Sequence, residues 1–143
     1  MVSGFSGMQW LRLMLLAVLL LAAGAQQARA QMTGEFGHDV AMLQNALNAT
    51  LAATAGSEPD NARVNMEELY RQWRIFRARN FETQAADPLF VPDMENFEAH
   101  LFAASKKVDE EEWAAANGEL KTANELLQTV RKRQAARDKP AVK

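Results

Sequence analysis

The 143 residues include 16 basic and 18 acidic side chains, 48% hydrophobic residues and no cysteine. This length suits one domain with a modest core, and the mildly acidic balance argues against nucleic-acid binding. The missing thiols exclude a disulfide framework, cysteine lipidation and covalent c-type haem attachment.

Residues 1–30 read as a cleavable secretory signal. Arg12 precedes an apolar run from Leu13 to Ala25, and Ala28-Arg29-Ala30 supplies the small residues of a peptidase site. The run is shorter than the roughly 20 apolar residues of a membrane span, so no stable insertion is expected after cleavage. Removing it discards Arg12 and Arg29, leaving 14 basic and 18 acidic residues, a net charge of −4. The expected location is the periplasm, and the working domain is 31–138.

Four segments with helical periodicity follow. The first runs from about Glu35 to Ala55, with Phe36, Val40, Leu43, Leu47 and Leu51 on one face. Breaker residues at 55–61, including Gly56, Ser57 and Pro59, end it. The second spans about Ala62 to Glu82, with Met66, Leu69, Trp73, Phe76 and Asn80 inward and Arg71, Arg74, Arg77 and Arg79 around them. Pro88 and Pro92 then interrupt the helix. Between them Leu89-Phe90-Val91 suggests a crossover strapped over the bundle.

The third segment starts at Asp93, an expected N-cap, and shows Met94, Phe97, Leu101, Ala104 and Val108 on one face. For the fourth, Asp109 is the expected cap, with Glu112 at the capping-box position and Glu110 to Glu112 opposing the helix dipole. Its stripe is Trp113, Ala116, Leu120, Ala123, Leu127 and Val130, and its end is basic at Arg131, Lys132 and Arg133. Residues 139–143 are an expected disordered tail. With no strand-like alternation, the pattern predicts an all-α fold: an antiparallel, up-down-up-down four-helix bundle.

Three stretches carry a family resemblance: His38-Asp-Val-Ala-Met42 with Leu43 and Leu47, then Pro92-Asp-Met-Glu-Asn-Phe97, then Trp113-Ala-Ala-Ala with Leu120-Lys-Thr122 and Arg131. The chain resembles the cytochrome c prime superfamily, including its soluble periplasmic b-type cytochromes. The resemblance implies a haem-binding bundle with ligands on the last helix. In one register the haem-attaching cysteines fall on Ala123 and Leu126 and the histidine on Leu127; in the b-type register Gln128 stands at the ligand position. Neither supplies a ligand, which implies a haem-free, divergent member with no expected cofactor.

His38 and His100 are the only histidines. On segments that run parallel in such a bundle they could pinch a metal ion or haem iron, with Met42 as a softer ligand. Both lie off the apolar stripes, the usual place of solvated side chains. The methionines are scattered, and Trp73, Phe76, Phe81 and Phe90 fit core packing better than a ligand cavity. Arg71, Arg74 and Arg77 read either as a solvated face paired with Glu67, Glu68 and Glu82 or as a partner-binding surface. No catalytic motif is present, so no enzyme is expected. The expected role is binding a periplasmic protein or small ligand, and a homodimer is compatible with it; the alternative is a haem or metal binder using the His/Met set.

Overall fold

The computed structural model describes residues 35–140. The expected leader (1–30) and the tail residues 141–143 lie outside them. Two units are distinguished, Met1–Gly37 and His38–Lys143, and the second is an all-α, antiparallel, up-down-up-down four-helix bundle.

Helix α1 covers residues 35–55 among those described. It buries Val40, Leu43, Ala46 and Leu47, then Thr50, Ala53 and Thr54. The buried face thus continues through the threonines rather than through Leu51, which is half-buried. Thr50 Oγ1 donates to the Ala46 carbonyl at 2.8 Å and Thr54 Oγ1 to the Thr50 carbonyl at 3.0 Å, so neither hydroxyl is buried unbonded.

Helix α2, Pro59–Asn80, begins three residues earlier than the spacing predicts, because a proline needs no N–H in the first turn. Ala62, Met66, Leu69, Trp73, Phe76 and Asn80 all face inward, with Gln72 beside them. Helix α3, Phe90–Asp109, also starts three residues early. Pro92 falls within its first turn, where proline is tolerated, so Phe90 and Val91 are helical rather than part of a strap. Asp93 is not the cap: Asp87 Oδ1 instead accepts the Leu89 N–H at 3.1 Å, and Asp93 pairs with Arg133 at 2.7 Å.

Helix α4, Trp113–Asp138, buries Ala116, Leu120, Ala123, Leu127 and Val130, with Trp113 half-buried. The expected capping box does not form. Asp109 is the last residue of α3, and Glu112 is the N-cap without a side-chain cap bond. Lys107 draws the glutamates instead, donating to Glu112 at 2.8 Å and Glu110 at 3.2 Å.

The turns α1–α2 and α3–α4 share one construction. Ser57 (φ 53°) and Glu111 (φ 57°) occupy left-handed backbone. Each donates to the carbonyl three residues back, Thr54 at 3.2 Å and Val108 at 3.1 Å. The next residue donates five back: Glu58 to Ala53 at 3.2 Å and Glu112 to Lys107 at 2.9 Å. This is the Schellman pattern with glycine replaced at the left-handed position.

Side-chain bonds fix the ring order. Asp39 on α1 accepts from Arg79 and Asn80 of α2, each at 3.0 Å. Trp73 and Arg77 of α2 donate to Glu98 of α3. Arg133 of α4 reaches Asp93 of α3, and Gln128 of α4 donates to Gln44 of α1 at 2.6 Å, closing the ring. The α2–α3 half of the core is aromatic: Trp73 lies 5.1 Å from Phe97 and 6.0 Å from Phe76, and Phe90 lies 5.7 Å from Phe81 between ring centroids. This is packed core, with ring spacings in the range of favourable aromatic contacts.

Candidate partner-binding surface

The inward stripe of α2 leaves its arginines on the outer side, and the structure divides them by what they touch. Arg71 is held within its own helix: Nε and Nη2 donate to the two Glu68 oxygens, both at 2.8 Å. That bond, with a second from Gln72, keeps the Glu68 carboxyl below its ordinary pKa. Arg77 Nη1 donates to Glu98 at 2.9 and 3.2 Å, and its guanidinium lies 5.2 Å over the Phe81 ring. Arg79 pairs with the buried Asp39. The predicted pairing with glutamates of the same helix therefore holds only for Arg71, since Arg77 and Arg79 bridge to other helices. Arg74 is exposed, and so is Glu67; neither has an ion-pair partner among the described residues.

Beside these charges, Phe102 of α3 is 61% exposed and lies 5.6 Å from the Tyr70 ring at a tilt of 45°. Val64 of α2 is 65% exposed. The Tyr70 hydroxyl is buried, with the Ser105 hydroxyl near it but outside full hydrogen-bond geometry. Burial above all pushes its pKa up; the Ser105 hydroxyl opposes this, and the Glu98 and Asp109 charges add to the rise. It borders a cleft of about 190 Å³ between α2 and α3, lined by Arg63, Met66, Glu67, Tyr70, Ser105, Val108 and Asp109. Aromatic rings and arginines with an apolar neighbour are the side chains that dominate protein interfaces. Phe102 was legible as a large aromatic just off the 94-97-101-104 stripe; Glu98, which joins Trp73 to Arg77, carried no such signal.

The other candidate set is dispersed. His38 is exposed and Met42 is 40% exposed, one turn apart on α1. His100 Nδ1 and Glu119 Oε2 of α4 share a hydrogen bond at 2.5 Å. Asn117, near Glu119, bonds Leu51 and Thr54 of α1. His100 is thus level with the far half of α1, about 15–20 Å along the axis from His38 at 1.5 Å per residue. His38 and His100 are not brought together: α1 and α3 sit diagonally, His38 is exposed, and His100 is bonded to Glu119. Among the described residues no group of three or more His, Cys, Asp or Glu side chains could hold a metal ion.

The positions that the resemblance assigns to haem ligands do not fit a haem. Ala123 and Leu127 are fully buried between the helices, and Leu126 is apolar. Gln128 is bonded to Gln44, which also donates to Asn124 at 2.8 Å and Asn48 at 2.9 Å. No family model, curated protein or solved structure matches this chain.

Proposed function

We propose that this chain is an exported, periplasmic binding or accessory protein, similar to cytochrome c prime in layout and without its haem-attachment residues. It acts through the outer face of α2 and the adjoining edge of α3. The observation that carries this reading is the unpaired Arg74, one turn from Tyr70, whose ring packs against the exposed Phe102. An exposed ring against a second ring, flanked by an uncommitted guanidinium, loses little conformational freedom when a partner covers it. The filled core at Ala123 and Leu127 supports a role without haem, because iron ligation needs donor atoms and space where aliphatic side chains now pack.

The test uses protein recovered after export. A photo-reactive side chain at Phe102 is expected to give a defined protein adduct, and the same probe at His38 none. The recovered protein is expected to lack a Soret band and stoichiometric metal. A Soret band or bound metal that disappears on His38→Ala or His100→Ala would replace this reading with the haem- or metal-binding one.

A further inference from the structure

Along the outer side of α2, Val64, Glu67, Arg71, Arg74 and Ala78 are all exposed. They are spaced 3-4-3-4, which draws a continuous seam on a helix that meets another at a shallow angle. Charge is divided along it. Arg63 is taken up by Asp60 and Glu111 and Arg71 by Glu68, which leaves Glu67 uncommitted in the N-terminal half and Arg74 in the C-terminal half. Within one chain Glu67 and Arg74 stand two turns apart, roughly 10 Å at 1.5 Å per residue, too far to pair. Both are left without an ion-pair partner among the described residues.

A face with one negative and one positive half complements itself when a second copy lies antiparallel, and repels itself when the copy lies parallel. We propose that α2 pairs with α2 of a second copy about a two-fold axis level with Tyr70 and Arg71. Glu67 of each chain then faces Arg74 of the other, so a single sequence motif supplies two equivalent ion pairs. A two-fold contact of this kind is isologous and closed. It also covers Val64 and brings a second chain over the exposed edge of Phe102, the two large apolar side chains this side leaves in water. This inference rests on the reading of α2 as the binding face and names the chain itself as the partner.

The experiment is a concentration series by analytical ultracentrifugation on the exported protein at low and high salt. A monomer–dimer equilibrium that weakens with salt is expected, since the pairs formed at the rim of such a contact are screened. Glu67→Arg or Arg74→Glu should each weaken the dimer by about tenfold, because two attractive pairs become two repulsive ones. The combined Glu67→Arg/Arg74→Glu variant should restore it, since each reversed charge again meets its opposite. All four residues changed in the dimer are exposed, and unaltered helical circular dichroism would rule out misfolding as the cause. A wild-type monomer at every concentration, or a double variant no tighter than the singles, overturns the self-pairing. A monomeric protein that still yields a Phe102 adduct with another protein overturns self-pairing alone, whereas loss of both dimer and adduct overturns the α2 binding face as well.

Discussion

Tyr70 carries its hydroxyl into the α2–α3 contact, where the nearby Ser105 hydroxyl does not reach full hydrogen-bond geometry. An orphaned buried polar group costs about 1–3 kcal/mol, while removing it altogether is nearly neutral or stabilising. Tyr70→Phe is therefore expected to leave unfolding free energy unchanged or raise it by up to about 1 kcal/mol, as measured by urea titration. A loss beyond that would show the hydroxyl bonded in solution. Asp87 is the opposite case, a buried carboxylate with every partner in place. Burial opposes its ionisation, but the Leu89 N–H and the guanidinium of Arg133 at 3.0 Å, with the further charge of Arg137, outweigh burial and hold its pKa below the ordinary value. A depressed carboxyl pKa contributes stability that is present above the unfolded-state value, about 3.9, and lost as pH falls through the folded one. The wild-type protein should lose stability below about pH 4. Asp87→Asn should cost about 1–3 kcal/mol near neutrality and flatten the acid limb, which thermal melts across pH would reveal. An equally steep limb in the variant would place the acid sensitivity elsewhere.

At the scale of the element, the two Schellman turns put non-glycine residues where left-handed backbone costs a side chain roughly 1 kcal/mol. Ser57→Gly and Glu111→Gly are each expected to stabilise the bundle by about 0.5–1 kcal/mol, partly offset by glycine's freedom in the unfolded chain. Gains of the same sign at both sites would confirm the shared turn geometry, and losses at both would refute it. The helices themselves were legible in the sequence, since 94-97-101-104-108 and 66-69-73-76-80 are stripes that only a helix makes contiguous. Their starts were less so. Asp93 and Asp109 have the chemistry of caps, but Pro59 and Pro92 are accepted in first turns and carry α2 and α3 past the predicted boundaries. In the interhelical turn at 110–112, Glu110 and Glu112 pair with Lys107 and Glu111 with Arg63, rather than with the dipole.

For the whole molecule, the core was readable and the pairing was not. Periodicity identifies which residue faces inward, whereas the partner of Arg77, Arg79 or His100 depends on how helices distant in sequence are aligned. That is why Glu98, Asp39 and Glu119 could not be named beforehand. Leu120 and Leu127 test the core directly: both are fully buried, and each change to alanine should cost about 2–5 kcal/mol in equilibrium denaturation. A cost below about 0.5 kcal/mol, the range of surface substitutions, at Leu127 would mean that the last helix is not packed at the position the resemblance gives to a haem ligand. The joint between the first and last helices has a further consequence. Gln44, Asn48, Asn124 and Gln128 bond one another there, and Asn117 bonds Leu51 and Thr54. Carboxamides neither take up protons nor gather counter-ions. A medium turned acidic or briny weakens the Asp87 corner and leaves this joint as strong as before. Loss of structure in acid should thus spread from the link between the middle helices, while the first and last helices stay clasped until late.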